Sequence, residues 1–131
     1  TPNSVVYTGT HDNETLMQYL ECTEEHVRNH IREYMNRPHA SNEELCENLI
    51  WMAMSSVGKY CMIPLQDYLG LGDWARTNEP STLGKNWRWR MKKDDLTPEL
   101  LAKCREMAET YGRVKKEKSG QPEEPEKLQK A

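Results

Sequence analysis

The strongest constraint on the fold of this chain is the stretch Val5–Asn13, which reads Val-Val-Tyr-Thr-Gly-Thr-His-Asp-Asn. β-Branched and aromatic residues favour an extended strand, and the Thr-Gly-Thr that follows them favours a turn. The turn ends on adjacent His11 and Asp12, just before a helix-like pattern resumes. In parallel α/β folds, functional residues lie where strands end and loops begin. The stretch therefore predicts a strand with chemistry at its carboxyl end.

The His-Asp pair permits more than one interpretation. Its side chains can bind sugar hydroxyls, orient a proton or stabilise a cation. Asp12 or Asn13 can instead cap a helix that begins near Glu14, which is a common use of these residue types. From the dipeptide alone, the capping interpretation is favoured.

Helix-like and strand-like segments alternate along the chain. Apolar residues at helical spacing predict four helices, over residues 14–21, 24–35, 41–56 and 97–111. Their N-caps include Thr23, Ser41 and Thr97. A second strand is predicted over residues 60–65, and Pro64 suits its end because proline has no amide hydrogen. Strands separated by helices are the βαβ order of a parallel sheet.

Gln66 and Asp67 follow the second predicted strand. The argument that applies to His11 and Asp12 therefore places them at the same functional edge of the sheet. Asp67 can equally cap a short helix that runs through Leu71. Both interpretations stay open from the sequence.

Residues 70–93 show no periodicity, and a loop of this length in a compact fold is either functional or disordered. Its several Trp and Arg side chains argue against disorder, because they are costly to leave in water. The alternating Trp and Arg of residues 87–90 can stack on nucleobases, or can pack the loop through cation–π and carboxylate contacts. A net charge of -3 and the lack of an RNA-binding motif favour packing, so no nucleic acid is expected.

The composition predicts a small core. Only 36% of the 131 residues are hydrophobic and 30% are charged, so part of the chain is solvated or its apolar surface meets a partner. Residues 115–131 are rich in Lys, Glu, Pro and Gln and predict a disordered charged tail, which leaves residues 1–114 for the folded part. The apolar runs are too short for a membrane span, so no membrane is expected.

The cysteines show no Cys-x-x-Cys spacing and predict reduced thiols of a cytoplasmic protein. His26 and His30 stand four residues apart, a spacing that can bind metal. No third ligand lies nearby in the sequence, so we interpret them as a solvated helix face and expect no metal.

Four motifs follow one another along the chain, namely Tyr7–Asn13, Gln66–Gly72, Ala75–Pro80 and Asn86–Arg90. Together they resemble the C-terminal part of the 4-alpha-glucanotransferases, also called amylomaltases or disproportionating enzymes, which form glycoside hydrolase family 77. The resemblance covers residues 4–111. It implies an α/β parent enzyme in which this chain forms the last two βα units of a TIM barrel. The missing N-terminal part of the same barrel would lie before Thr1.

Without that barrel, the chain is expected to be mainly α-helical with at most two short strands. The helices predicted over residues 41–56 and 97–111 are expected to pack their apolar stripes on each other. The strand segments are expected either to pair as a small sheet or to lose their strand form.

The resemblance implies a retaining transfer of α-1,4-glucan segments between maltooligosaccharides, with no cofactor. By resemblance, Asp12 is the transition-state stabiliser and His11 bonds the same sugar ring, while Asn13 and Asn78 bind substrate. A fixed negative group suits an oxocarbenium-like transition state. The family motifs of the nucleophile and the acid/base are absent from the 131 residues.

The family's Arg-Met-Asn-Thr-Pro-Gly appears here as residues 76–81, which depart from it in part. Asn78 and Pro80 match it, whereas Thr77, Glu79 and Ser81 do not. We interpret residues 86–90 chiefly as scaffold.

Two other classes of function stay open from the sequence. A small helical protein-interaction domain without enzymatic activity would account for the capped helices and the charged tail. A single-strand nucleic-acid binder would use residues 87–90.

Overall fold

The computed structural model describes residues 1–115, so the tail predicted over 115–131 lies outside the described residues except for Lys115. Within that range the elements are β1 (Val5–Tyr7), α1 (Leu16–Cys22), α2 (Glu25–Tyr34), α3 (Asn42–Met54), β2 (Tyr60–Met62), α4 (Leu65–Tyr68), a 3-10 turn (Asp73–Ala75) and α5 (Pro98–Thr110). The described chain is mainly helical with two short strands, as the sequence predicted.

The two strands pair in parallel, with Val6 opposite Cys61. The predicted parallel arrangement is therefore confirmed. β2 ends two residues before Pro64, and Pro64 is the N-cap of α4. Cys61 packs against the core between α3 and α5. The opposite face carries Val5, Tyr7, Tyr60 and Met62, whose exposed fractions lie between 44% and 57%. One face of the sheet is covered by helices and the other is open.

The core forms two clusters on α3. In the first, α1 packs against α3 through Met17, Leu20, Leu45 and Cys46. In the second, Ile50 and Met54 of α3 contact Met107 of α5. The predicted packing of these two helices is confirmed.

Two helix starts follow directly from local sequence. The Ser41 hydroxyl accepts from the Glu44 amide while the Glu44 carboxylate accepts from the Ser41 amide, which is a capping box. The Thr97 hydroxyl accepts from the Leu100 amide, with Pro98 in the first turn. Both caps were predicted.

The start of α1 differs from the prediction. Thr15 caps it by accepting from the Gln18 amide, so neither Asp12 nor Asn13 is its cap. The Asn13 side chain accepts from the Thr10 amide and closes the preceding turn instead. The helix therefore begins after this turn, and Asp12 is left outside it.

The predicted cap at Thr23 is also wrong. The Thr23 amide donates to the carbonyl of Tyr19 and ends α1, and Glu24 is the residue before α2. Thr23 and Glu24 are both extended, so the second helix starts one residue later than the pattern suggested.

Among the described residues, no helix has the length and apolar character of a membrane span. In the same range, no three side chains of metal-ligating type come together. The four cysteines are free, with Cys22 exposed and Cys46 buried. Burial raises the pKa of the Cys46 thiol to about 12.

Asp67 of α4 is a buried carboxylate that joins two other elements. It is 3% exposed. Its Oδ2 accepts from the Thr8 hydroxyl at 2.6 Å, and its Oδ1 accepts from the Leu16 amide at 2.9 Å. The carboxylate caps α1 instead of its own helix. The prediction of a local cap at Asp67 is therefore wrong.

Gln66, its neighbour, is also buried and bonds a different loop. Its side-chain nitrogen donates to the Ala75 carbonyl at 3.2 Å and to the Thr77 hydroxyl at 3.0 Å. α4 therefore contacts both the loop that follows β1 and the loop that follows α4 itself.

Arg113 ties the end of α5 to the connection between α3 and β2. Its Nε donates to the Met54 carbonyl at 2.7 Å, and its terminal nitrogens donate to the carbonyls of Gly58 at 3.1 Å and Ser56 at 2.9 Å. Carbonyls at the end of a helix lack intrahelical partners, and a cation there also suits the helix dipole. The sequence did not predict this contact.

We expect Arg113→Ala to lower the free energy of unfolding by about 2–3 kcal/mol, because three partly buried carbonyls lose a charged donor. Urea denaturation followed by circular dichroism measures the change. Arg105→Ala is the control, since Arg105 lies on the same helix in an exposed pair with Glu109 and its loss costs at most about 0.5 kcal/mol. Equal losses for the two variants would contradict the assignment.

Asp67 also predicts a dependence of stability on pH. Burial raises the pKa of its carboxyl above the ordinary 3.8, and the hydrogen bonds from Thr8 and Leu16 only partly oppose this. The native state therefore binds this proton more tightly than the unfolded state does, and Asp67 stabilises the fold as the pH falls through the raised pKa.

Asp67→Asn removes this titration. As the pH falls from about 7 to about 4, the free energy of unfolding of the wild type should rise relative to that of the variant. Comparing the two chains cancels the other titrating groups. A constant difference across that range, or a change of opposite sign, would show that the pKa is not raised.

Candidate functional site

An open cleft of about 670 Å³ lies at the carboxyl ends of both strands. Tyr7 and Met62, the last residues of the strands, form part of its lining together with His11, Asp12 and Thr77. This is the edge of a parallel sheet at which binding sites are expected. The structure therefore brings His11 and Asp12 to the position that the sequence predicted for them.

Asp12 is held from two sides and stays accessible. Its carboxylate Oδ1 accepts from the Asn78 side-chain nitrogen at 2.7 Å, and its backbone carbonyl accepts from Arg76 Nη2 at 2.9 Å. The side chain is 50% exposed. A carboxylate in this arrangement has a defined orientation and can still meet a ligand in the cleft.

His11 lies between Asp12 and an aromatic ring. Its Nε2 is 3.4 Å from Asp12 Oδ1, and its ring centroid is 5.2 Å from that of Trp87 with 35° between the planes. The His11 carbonyl accepts from the Asn78 amide at 3.0 Å. The two loops of the site thus contact each other through main chain and side chains.

Trp87 is the residue of this site that the sequence interpretation placed only in a scaffold. Its φ of 62° is unusual for a residue with a large side chain. Its amide donates to the Thr77 carbonyl at 2.7 Å, which holds the backbone where the indole reaches His11. The Trp-Arg alternation was the available signal, but a left-handed φ is not apparent from a sequence.

Arg76 was not singled out either. Its Nε donates to the Asn78 carbonyl at 3.0 Å, and its Nη2 donates to the Asp12 carbonyl. It therefore connects the two loops, and its place directly before Thr77 and Asn78 was the signal in the sequence. Arg88 and Arg90 donate to carbonyls of their own loop, in keeping with the scaffold interpretation.

Asn13 and Asn78 both make hydrogen bonds within the site. Asn13 Oδ1 accepts from the amide and the hydroxyl of Thr10, each at 2.8 Å. Asn78 donates to Asp12. The structure brings Asn78 to the site and leaves Asn13 in its own turn, and a substrate contact of either residue stays a prediction.

The arrangement can bind a polyhydroxylated ligand and stabilise positive charge. A fixed carboxylate and an imidazole offer an acceptor and a donor in the lining of the cleft, and an indole packs against the imidazole. Within the part of the chain that the structure describes, Asp12 is the only carboxylate lining the cleft. A reaction that needs two carboxylates at this cleft must take the second one from outside the described residues.

Comparison with known proteins agrees with these observations. Residues 1–97 match the family model described as 4-alpha-glucanotransferase. The chloroplastic/amyloplastic 4-alpha-glucanotransferase DPE1 of Oryza sativa is 40% identical over 116 residues, which cover 86% of this chain and 19% of the rice protein. The 4-alpha-glucanotransferase of Thermus thermophilus is 36% identical over 113 residues, which cover 84% of this chain and 23% of that protein.

A solved structure is also similar. The amylomaltase from Streptococcus agalactiae in complex with acarbose superposes with a TM-score of 0.80 at 32% identity, over 88% of this chain and 23% of that one. The chain spans about a fifth of the length of the curated relatives it matches. A family match over well more than half of the chain shows that it belongs to the 4-alpha-glucanotransferase family.

Proposed function

We propose that this chain supplies the C-terminal part of a 4-alpha-glucanotransferase that transfers α-1,4-glucan segments between maltooligosaccharides. Membership of the family supports this activity. So does the solved relative, whose ligand is acarbose. No cofactor, nucleic acid or membrane takes part in the proposed reaction, and the proposed location is the cytoplasm.

The proposed partner of this chain is the remainder of a TIM barrel in the same protein. β1 and β2 are adjacent parallel strands, and within residues 1–115 helices cover one face of the pair. The open face carries Val5, Tyr7, Tyr60 and Met62, which are apolar or aromatic and half exposed. In a barrel this face would turn inward and become buried.

Asp12 is the proposed transition-state stabiliser. The observation that carries this role is its carboxylate, fixed by Asn78 at 2.7 Å and half exposed beside the cleft. A group that is already oriented does not reorganise when positive charge develops on the sugar ring. His11 is proposed to hydrogen-bond the same ring, and Trp87 limits the positions open to its imidazole.

A retaining transfer also needs a nucleophile and an acid/base roughly 5–5.5 Å apart. The nucleophile forms a covalent glucosyl-enzyme, which the 4-hydroxyl of a second glucan then attacks in place of water. Both groups are proposed to come from the rest of the complete protein. Asn13 and Asn78 are proposed to contact substrate hydroxyls through the parts of their amides not directed at Thr10 and Asp12.

The alternative proposal is a small helical protein-interaction domain without enzymatic activity. The open sheet face is the observation in its favour, because an apolar face of this kind can bind a partner. A defined partner, or a dimer that depends on concentration, would support it.

In the complete protein, we expect Asp12→Asn to lower kcat by about 10²–10³-fold with little change in KM or in Tm. The amide keeps the size of the side chain, whereas the lost charge acts mainly on the transition state. Disproportionation of maltotriose and the thermal midpoint are measured together. Asp73→Asn, an exposed carboxylate outside the cleft, is the control. Near wild-type turnover of Asp12→Asn at unchanged stability would remove Asp12 from the mechanism.

We expect the isolated 131-residue chain to have no glucanotransferase activity while it remains substantially helical. The contacts of His11 and Asp12 cannot replace the covalent step. The assay is glucose release from maltotriose by the purified chain, free of host enzyme, beside its circular dichroism. Turnover above a blank would mean that a catalytic pair is present within the chain. A random-coil spectrum would mean that the chain alone does not hold its core.

A further inference from the structure

Both loops of the site are bonded to one short helix, α4, through its two buried residues. Asp67 bonds the loop that carries His11 and Asp12, and it does so at both ends. Its Oδ2 accepts from Thr8 at the start of that loop, and its Oδ1 accepts from the Leu16 amide just after the loop. One carboxylate therefore closes the whole connection between β1 and α1.

The neighbouring residue, Gln66, bonds the other loop. Its amide nitrogen donates to the Ala75 carbonyl and to the Thr77 hydroxyl, next to Asn78. Gln66 and Asp67 are consecutive residues of α4, so the two loops are attached to neighbouring residues of one helix. Both side chains are more than nine-tenths buried, so solvent competes little for these bonds.

The two side chains also match their partners chemically. Thr8 and Leu16 offer an O–H and an N–H, and an ionised carboxylate accepts at both of its oxygens. Ala75 offers a carbonyl, which requires a donor such as the amide of Gln66. An acid at residue 66 would set an oxygen against that carbonyl, and an amide at residue 67 would offer only one acceptor.

We propose that Gln66 and Asp67 are positioning residues, which hold the His11–Asp12 loop against Asn78 so that the Asp12 carboxylate has its orientation. Three contacts depend on them. The backbone amide of Asn78 donates to the His11 carbonyl, the Asn78 side chain donates to Asp12, and the His11 ring packs on Trp87. The expected effect on catalysis rests on the proposed function. The positioning of the loop rests only on these distances.

Nuclear magnetic resonance of the full 131-residue chain tests the structural part. Thr8→Val keeps the size of the side chain and removes the donor to Asp67, and Gln66→Glu keeps the length and replaces the donor to Ala75. In both variants we expect the nuclear Overhauser effect between His11 and Trp87 to disappear. We also expect hydrogen exchange of the Asn78 amide to become at least about tenfold faster. Thr8→Ser, which keeps the hydroxyl, should preserve both signals.

Ile50→Val is the control for a general loss of stability. Ile50 lies in the core between α3 and α5, outside the lining of the cleft. Each chain is measured at the same interval below its own Tm. If Ile50→Val loses the two signals as the test variants do, or if Thr8→Val and Gln66→Glu both keep them, the inference is overturned.

The complete protein tests the catalytic part. A misplaced carboxylate acts on the transition state, so we expect Thr8→Val and Gln66→Glu to lower kcat by about 10–100-fold, with KM within about threefold of the wild type. Loss of the contacts without loss of kcat would overturn the role of the two residues in the reaction. Near wild-type turnover of Asp12→Asn, in contrast, would overturn the role proposed for Asp12 and leave the result from magnetic resonance in place.

Discussion

The arrangement of this site depends on the hydrogen bonds that the buried Asp67 carboxylate accepts. A carboxylate removed from water is costly unless its oxygens are hydrogen-bonded. Here a hydroxyl from the end of β1 and an amide from the start of α1 supply those bonds. The positive end of the α1 dipole adds to them. These bonds restrain the connection between β1 and α1, because the carboxylate can stay ionised and buried only while Thr8 and Leu16 stay in place.

The parallel pairing of β1 and β2 makes that restraint possible. It brings residues 5–7 beside residues 60–62, although most of the intervening chain forms three helices. α3 contributes to both core clusters and so supports the sheet on one face. The other face remains open and apolar, which agrees with a composition of only 36% hydrophobic residues and with a chain that spans about a fifth of its relatives.

In the proposed reaction, this site supplies one oriented carboxylate. Asp12 is oriented by Asn78, and its main chain is held by Arg76. These contacts lie within the described chain and do not require the rest of a barrel. The covalent chemistry of a retaining transfer does require it, because one carboxylate cannot act as nucleophile, acid/base and stabiliser at once.

Several local interactions were readable from the sequence alone, although the equally local cap at Thr15 was missed. The caps at Ser41 and Thr97 involve residues three apart, and helical and strand patterns repeat over a few positions, so short windows predict them. The four ordered motifs likewise indicated the family. Tertiary structure decided the rest. Asp67 reaches partners more than 50 residues away, Arg113 reaches the end of α3, and Trp87 adopts a left-handed φ to meet His11. No local pattern encodes these contacts, because each exists only after distant elements have packed.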